Sequence, residues 1–338
     1  MPETVFLTGA SGFIGSHLAE RLAADGHTVR ALVRRDARHL DRAPAALAAR
    51  IERVSGDLAD PASLGDALRG VTAVVHVAGL TRSPGASAAA DAAFEAANVT
   101  ATTRLLDAVL DRVPGVRRVV VTSSLAAVGR GDGSAVADEA TPLAPISRYG
   151  ASKARMEAAL APYRDRLPLV VVRPPAVYGP READILTFFQ TAARGLVPVV
   201  GDPAAPAVTL VHVRDLVDGM VRAITHPAAV GQTYFLGTAA PVSWGAVRDA
   251  TAAALGRRVV TVRVPRALIV PIGTAVESLG RIAGTYPALN REKALELRDA
   301  VIVCDSSKAM REIGYAPSVD LTEGVAETIA WYRAEGWL

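Results

Sequence analysis

The chain has 338 residues, of which 50% are hydrophobic and 21% are charged, a composition typical of a compact globular enzyme. This length allows one large core, or one domain with a smaller appended lobe. The formal net charge of +3 comes from charges spread along the chain, which argues against a nucleic-acid-binding surface. Cys304 is the only cysteine, so an internal disulfide and a cysteine-rich metal site are excluded, and we predict no metal centre.

The first predicted strand, residues 4–7, begins so near Met1 that no signal peptide precedes it, which favours a cytoplasmic protein. A glycine-rich turn follows at once, and then a helical pattern. This order predicts an anion site, because free backbone N–H groups converge there with the positive end of the helix. Gly9 permits the tight turn, Gly12 lets a pyrophosphate approach the backbone, and Gly15 lets the helix pack closely on the strand. The strand before the turn and the helix after it favour a dinucleotide site over an ordinary loop.

Further strand-like apolar runs alternate with helical patterns through the first half of the chain. These runs are residues 28–33, 51–54, 73–78, 118–122 and 169–173. Continuous β-branched runs separated by helices predict an α/β fold with a doubly wound parallel sheet of the Rossmann type. Such sheets bind their ligands at the carboxyl ends of the strands.

The regular alternation decays from about Tyr178 onward, which predicts a second, smaller lobe toward the C-terminus. We assign residues 1–177, with segments of about 208–236 and 301–320, to an NAD(P)-binding Rossmann domain, residues of about 178–207 and 237–300 to a substrate-binding lobe, and residues 321–338 to a C-terminal amphipathic helix. A further strand is predicted at residues 208–212. The apolar run 267–276 is too short to span a bilayer, so we expect no stable membrane insertion. We expect this run to pack on the core or to line an apolar pocket.

The second strand ends at Arg34 and Arg35, the point where a dinucleotide-binding fold reads the adenosine ribose. An acidic side chain there selects NAD, whereas a guanidinium accommodates the 2′-phosphate of NADP. We therefore predict NADP(H) as the favoured cofactor and NAD(H) as the alternative. Asp57 and Leu58 follow the next strand, and they either contact the adenine amino group or form a plain turn.

Tyr149 and Lys153 stand four residues apart, which places them on one face of a helix. A free tyrosine has a pKa of about 10, and a neighbouring ammonium stabilises the phenolate and draws that pKa toward neutrality. Thr122, Ser123 and Ser124 end a strand at the edge of the sheet where a hydroxyl can hydrogen-bond a substrate carbonyl. The pattern predicts acid–base chemistry on an oxygen.

Together these features resemble the extended short-chain dehydrogenase/reductases, in particular the dihydroflavonol-reductase-like and 3β-hydroxysteroid-dehydrogenase-like members. The matching motifs, in family order and covering essentially the whole chain, are the glycine turn 9–15, His76-Val77-Ala78-Gly79, Asn98-Val99, Thr122-Ser123-Ser124, residues 149–153, residues 173–180 and residues 212–215.

The resemblance implies a role for each matching residue. Tyr149 is the expected general acid/base, and Lys153 is expected to bind the nicotinamide ribose and to lower the pKa of the tyrosine. Ser124 is expected to hold the substrate carbonyl, because the family's hydroxyl lies five residues before a glycine, here Gly129; Ser123 is the second choice. Asn98 resembles the residue that helps to position the lysine, and its alternative is a helix cap.

The cofactor is expected to run from the glycine turn to the catalytic helix, with Pro174 and Pro175 along the nicotinamide. The predicted contacts are Gly9, Ser11, Gly12, Phe13, Ile14, Gly15, Arg34, Arg35, Asp57, Leu58, Val77, Ala78, Gly79, Thr122, Tyr149, Lys153, Pro174 and Val177. His212 and Asp215 are interpreted as structural, with Asp215 as a helix N-cap.

Departures from the family patterns rank the activities that share this machinery. Leu125 and Ala126 follow Ser124 where a sugar-nucleotide 4,6-dehydratase would carry Asp-Glu, so elimination lacks its acid and base. Many sugar-nucleotide epimerases carry asparagine at the position of Ala176, so a two-phosphate ligand would have to rely on arginines such as Arg181 or Arg291.

The sequence therefore favours an NAD(P)-dependent reductase or dehydrogenase acting on a small apolar or aromatic molecule. An epimerase with bound NAD is the alternative, and a dinucleotide-binding sensor without turnover is a third reading. The expected partner is a small-molecule substrate, with no nucleic acid. Family members often dimerise through helices that flank the active site, so the helix carrying Tyr149 is a candidate homodimer interface.

Overall fold

The computed structural model describes residues 2–34, 37, 39–82, 87–132, 135–283, 287, 289–300 and 302–338. Its strands are β1 (Thr4–Thr8), β2 (Thr28–Val33), β3 (Ile51–Ser55), β4 (Ala73–His76), β5 (Arg118–Thr122), β6 (Leu169–Arg173), β7 (Ala176–Tyr178), β8 (Leu196–Val200), β9 (Pro206–Val208), β10 (Leu210–His212), β11 (Thr233–Phe235), β12 (Val242–Ser243) and β13 (Val260–Val264). Its α-helices are α1 (Phe13–Ala24), α2 (Ala45–Ala48), α3 (Ala88–Phe94), α4 (Ala101–Arg112), α5 (Arg148–Ala159), α6 (Leu186–Ala193), α7 (Val213–Thr225), α8 (Trp244–Leu255), α9 (Arg266–Ile282), α10 (Arg291–Asp299), α11 (Ser307–Ile313) and α12 (Leu321–Ala334).

Seven strands within the described ranges form one parallel sheet in the order β11-β6-β5-β4-β1-β2-β3. Strands β4, β5 and β6 are buried along their full length, as their uninterrupted apolar sequences require. The strand order reverses between β1 and β4, so the carboxyl ends of these two strands flank the crevice where this fold binds ligands. The predicted doubly wound α/β class is confirmed.

Apolar helix faces cover both sides of the sheet. On one side α1 and α7 contribute Leu18, Leu22, Leu216 and Met220 to a cluster with β1 and β6. On the other side α4 and α5 contribute residues such as Leu105 and Met156 to a second cluster. Burial of these two faces holds the sheet between helical layers, and it fixes the strand ends that carry the site.

The remaining strands pair in two-stranded sheets, β7 with β10, β8 with β13 and β9 with β12. The single strand predicted at residues 208–212 is wrong, because Thr209 separates β9 from β10. The Thr209 hydroxyl accepts a hydrogen bond from the backbone N–H of Cys304 at 3.0 Å. The chain therefore changes its pairing partner at Thr209, from β12 on one side to β7 on the other.

The N-terminus of α7 also differs from the prediction. His212 is its N-cap, and a ring nitrogen of His212 accepts the backbone N–H of Arg214 at 3.3 Å. Asp215 lies in the first turn, where its carboxylate accepts the backbone N–H groups of Ser318 and Val319 at 3.0 and 3.1 Å. Asp215 therefore joins α7 to the segment that precedes α12, a long-range contact that local sequence does not reveal.

The apolar run 267–276 forms much of α9, and the expectation that it packs on the core or lines a pocket is largely wrong. Ile269 is buried, whereas Leu268 and Ile272 are exposed. None of the helices in the described ranges has the length and apolar character needed to cross a bilayer.

Candidate active site

The glycine turn between β1 and α1 is shaped by close backbone contacts. Gly9 has a φ of +73°, and a Cβ atom on it would lie 2.6 Å from the backbone nitrogen of Ala78. A Cβ atom on Gly15 would lie 2.1 Å from the carbonyl oxygen of Gly9. Gly12 is the N-cap of α1 and provides no side-chain cap, so a bound anion can accept from the N–H groups of the first helical turn.

A cavity of about 1430 Å³ opens beside this turn and continues to α5 and α10. It is larger than a typical ligand pocket of roughly 300–1000 Å³, and it has room for a dinucleotide with a second molecule. Every residue predicted to contact the cofactor lines this cavity, except Arg35, which lies outside the described residues. Most of these residues directly follow a strand or lie near the start of the next helix. The parallel sheet therefore brings them together at the carboxyl ends of its strands.

Ser124, Tyr149 and Lys153 meet at the centre of the cavity wall. The Ser124 hydroxyl faces Tyr149 closely enough to lower the pKa of the phenol. The Lys153 ammonium is buried and donates to the carbonyl oxygen of Thr122 at 2.7 Å, at the end of β5. The Ser147 hydroxyl caps α5 by accepting the Gly150 N–H at 3.1 Å, which fixes the start of the helix that carries the tyrosine and the lysine.

The direction of the tyrosine pKa differs from the one expected. Burial raises the pKa of Tyr149 to about 12, and the carboxylates of Asp184 and Glu296 act in the same direction, against the hydrogen bond from Ser124. Burial lowers the pKa of Lys153 to about 8, against the attraction of Glu157. At neutral pH Tyr149 therefore holds its proton and Lys153 is charged.

A buried ion pair distinguishes the two adjacent serines. Ser123 donates to the Glu157 carboxylate at 2.5 Å, and the Arg173 guanidinium donates to both Glu157 oxygens at 3.0 and 2.7 Å. Since the Ser123 hydroxyl is committed to this pair, Ser124 is the serine that faces Tyr149. The sequence analysis missed the pair, although Glu157 lies four residues after Lys153, on the same helix face.

Asn98 does not line the cavity but supports its wall from behind. It lies in a π-helical segment, Glu95–Thr100, and is buried. Its amide donates to the carbonyl oxygen of Leu80 at 2.9 Å and to the Ser152 hydroxyl at 2.8 Å, and it accepts the Leu80 N–H at 2.7 Å. Asn98 thus ties the loop after β4 to α5, which supports a positioning role for it.

The end of the cavity that we predict to hold the adenosine of the cofactor is formed by the ends of β2 and β3. Arg34 is exposed and lines the cavity together with Asp57 and Leu58. The Asp57 carboxylate accepts the N–H of Ala59 at 2.9 Å, so it also stabilises a turn. Both interpretations of Asp57 are therefore compatible with the geometry.

Apart from Arg181, the sequence analysis missed the charged residues of the other half of the cavity. They are Arg82, Arg148, Arg181, Glu182, Asp184, Glu292, Lys293 and Glu296. Within the described ranges, each of these cations has a carboxylate partner. The pairs are Arg82–Asp184 at 2.6 Å, Arg148–Glu292 at 3.4 Å, Arg181–Glu20 at 2.8 Å and Lys293–Glu296 at 3.1 Å. In the segment assigned to the substrate-binding lobe, the closely spaced Glu292, Lys293 and Glu296 were a local signal that could have indicated these charged residues.

The residues present fit a nicotinamide dinucleotide. The glycine turn leaves a cradle that Cβ atoms would fill, and the buried hydroxyl of Thr122 has no hydrogen-bond partner among the described residues. Thr122 lines the cavity, and its carbonyl oxygen accepts from Lys153. A polar ligand in the cavity would satisfy this hydroxyl, whose burial is otherwise unfavourable.

Comparison with known proteins agrees with this geometry. Residues 5–237 match the NAD dependent epimerase/dehydratase family. The chain is 31% identical to the ceramide reductase of Caulobacter vibrioides, over 99% of this chain and 96% of that protein. It is 31% identical to the UDP-glucose 4-epimerase of Mycolicibacterium smegmatis, over 97% of each chain. The solved structure of the dTDP-glucose 4,6-dehydratase DesIV from Streptomyces venezuelae, with NAD bound, has a TM-score of 0.73 and 28% identity, covering 99% of this chain and 98% of that one.

The family match spans the central sheet from β1 to β11 and includes the glycine turn and the Ser124–Tyr149–Lys153 group. The chain therefore belongs to the NAD dependent epimerase/dehydratase family and is an NAD(P)-dependent oxidoreductase of the extended short-chain dehydrogenase/reductase type.

Proposed function

We propose that this enzyme reduces a carbonyl group on a small apolar or aromatic substrate, with NADP(H) as its cofactor. The observation that carries the proposal is the charge balance of the substrate half of the cavity, where Arg82, Arg148, Arg181 and Lys293 are each paired with a carboxylate. A nucleotide diphosphate needs cations that are free to accept its charge. This wall favours a substrate without phosphate groups.

Ala176, Arg181 and Arg291 bear on the same choice. Ala176 lines the cavity without a hydrogen-bond donor in its side chain. The Arg181 guanidinium donates to the Ser16 hydroxyl at 3.0 Å and to Glu20, so a two-phosphate ligand would have to compete with α1 for it. Arg291 is not among the residues that line the cavity in the described ranges.

The protonation of Tyr149 supports reduction as the favoured direction. Because burial raises its pKa to about 12, Tyr149 carries a proton at neutral pH and can deliver it to an oxygen that gains negative charge. Oxidation of an alcohol would require the phenolate, which this environment disfavours.

The roles of the chain's own residues follow from their positions. A bound nicotinamide dinucleotide supplies the hydride. Ser124 donates a hydrogen bond to the substrate carbonyl oxygen and orients it toward Tyr149, which protonates that oxygen. The Lys153 ammonium, held by the Thr122 carbonyl, is in place to bind the nicotinamide ribose. Asn98 holds the loop and the helix that frame this group.

The preference for NADP(H) rests on Arg34. It is exposed, follows β2 directly and lines the adenosine end of the cavity, where a guanidinium can form a forked hydrogen-bonded pair with a 2′-phosphate. The names of the relatives state different substrates. The relatives therefore support the assignment to the oxidoreductases, but they do not agree on one substrate. The ceramide reductase among them favours an apolar lipid-like carbonyl compound.

The test is consumption of NADPH and NADH in the presence of long-chain and aromatic ketones, set against interconversion of UDP-glucose and UDP-galactose. We expect NADPH oxidation with a ketone and no sugar interconversion. Interconversion of the sugars with bound NAD, and no response to ketones, would establish the epimerase alternative instead.

The matched control is Tyr149→Phe, which removes the proton donor and leaves the aromatic ring. We expect it to lower kcat by roughly 10²–10⁴-fold, since general acid catalysis contributes about that much. Calorimetric titration should show unchanged NADPH binding by the variant. Normal turnover by Tyr149→Phe would contradict the proposed mechanism.

A further inference from the structure

Helix α9 presents a second apolar face that nothing in the described structure covers. Its inner side packs on α10, because Ile269 is buried and a Cβ atom on Gly273 would lie 2.6 Å from the Cβ atom of Ala294. A different side carries exposed apolar residues at spacings of three, four and seven. We call this set the α9 stripe: Leu268, Pro271, Ile272, Ala275, Leu279 and Ile282. Thr274 and Ser278 lie on the opposite flank, so the exposed part of the helix is itself amphipathic.

The strand pair that leads into α9 shows the same exposure. In the β8–β13 sheet, Leu196 pairs with Val260 and Pro198 pairs with Val262, and all four residues are exposed. Of the nine large apolar side chains exposed in the described ranges, seven belong to β8, β13 and α9. Apolar exposure concentrated in this way indicates an interaction surface, because exposed apolar residues are otherwise scattered singly.

The charges along the segment that forms this surface are mostly positive, and its two acidic residues, Asp249 and Glu277, flank the arginines. Residues 250–276 contain four arginines, at positions 257, 258, 263 and 266, and no Asp, Glu or Lys. A second copy of the chain docked symmetrically on this face would bring two such arginine groups together and would be opposed by their repulsion. An anionic lipid surface satisfies both features, since it buries apolar side chains and attracts arginines.

We propose that the α9 stripe and the arginines of residues 257–266 dock the enzyme on the surface of an anionic lipid bilayer. The docking is peripheral, with the stripe inserted at the level of the headgroups. Helix α10, on which α9 packs, supplies Glu292, Lys293 and Glu296 to the cavity wall. The docked surface therefore lies beside the substrate half of the cavity, an arrangement that would let an apolar substrate enter from the lipid; this consequence rests on the proposed function, whereas the docking does not.

The test is flotation of the full chain with vesicles of phosphatidylcholine alone and of phosphatidylcholine with an equal part of phosphatidylglycerol. We expect flotation with the anionic vesicles and a decrease as salt is added. The double variant Leu279→Glu with Ile282→Glu should lower the partition coefficient by about a hundredfold, since each large apolar side chain contributes about tenfold or more when buried. Arg258→Gln with Arg263→Gln should lower it by on the order of tenfold.

Val230→Glu is the matched control, because Val230 is another exposed large apolar residue and lies outside this surface. It should float like the unaltered protein, and thermal unfolding should show that all variants are folded. The proposal is overturned if the unaltered protein does not float, or if Val230→Glu loses as much binding as the stripe variant. If the unaltered protein sediments as a dimer and the stripe variant as a monomer, the surface is an interface between two copies of the chain and not a lipid-docking surface. Ketone reduction by detergent-dispersed substrate tests the proposed function separately.

Discussion

Lys153 changes its charge within the pH range of an ordinary activity assay. Burial lowers its pKa to about 8, so the ammonium is present below that pH and is lost above it. Because the proposed role of Lys153 requires its charge, we expect kcat/KM for NADPH to be level below pH 8 and to fall about tenfold per pH unit above it. This parameter reports the groups of the free enzyme, and steady-state kinetics across this range measures it.

A variant of Glu157 tests whether the loss of activity at alkaline pH comes from Lys153. Its charge raises the pKa of Lys153, so Glu157→Gln should move the alkaline limb to lower pH, while the amide still contacts Ser123 and Arg173. The same change at Glu95, an exposed partner of Arg155, should leave the limb in place. A limb that is identical in both variants would assign the titration to another group.

Arg34 is the residue on which the cofactor preference depends. Arg34→Ala should weaken NADPH binding by roughly tenfold or more, the range for a lost hydrogen bond between charged groups. NADH lacks the 2′-phosphate, so its affinity should change little. Calorimetric titration with both cofactors measures the difference in affinity. Equal losses of affinity for NADPH and NADH would show that Arg34 does not bind the 2′-phosphate.

At the scale of elements, the sequence predicted best where one local pattern decides the structure. β2, β5 and β6 have the predicted bounds. In β5 and β6 three consecutive valines are fully buried, as the central strands of a parallel sheet require. The predictions at Thr209 and Asp215 were wrong because partners about a hundred residues away decide the structure there. The solvent-exposed side of α9 was also missed, since an apolar run does not show which of its faces is covered.

The contact between α5 and the turn after β5 sets the distance between Tyr149 and Ser124. A Cβ atom on Gly150 would lie 2.2 Å from the carbonyl oxygen of Ala126, two residues after Ser124. Gly150→Ala must therefore push the helix away from this turn. We expect kcat to fall by about a hundredfold, the scale of a displacement of roughly 1 Å at a reacting group, with NADPH binding retained.

Ala158 offers a control within the same helix. It is exposed, so Ala158→Gly costs helix stability of about 1 kcal/mol without touching the turn. This variant should keep its kcat. A comparable loss in both variants would mean that helix stability, and not the contact with Ala126, limits turnover.

At the scale of the whole molecule, the cavity depends on segments that are distant in the chain. The sequence indicated its cofactor half, since each motif follows a strand of the predicted sheet. It did not indicate the substrate half, where Arg148 on α5 meets Glu292 on α10 across 144 residues. This ion pair forms because the fold brings α10 next to the start of α5, and the spacing of residues in the sequence does not show that contact.

Helix α12 packs against the end of β7 and the start of α7. A Cβ atom on Gly324 would lie 2.6 Å from the Tyr178 hydroxyl and 3.0 Å from His212, and the next residue, Val325, lines the cavity. Gly324→Val should therefore destabilise the protein by about 1–3 kcal/mol through overpacking, lower Tm by several degrees and raise KM for the substrate. Ala326→Val places the same side chain on the exposed face of α12 and should change neither quantity by much. Because the two variants share β-branching and differ only in what the new atoms meet, a Tm loss confined to Gly324→Val would show that this seam holds α12 in place. Equal Tm losses would trace the effect to helix propensity instead.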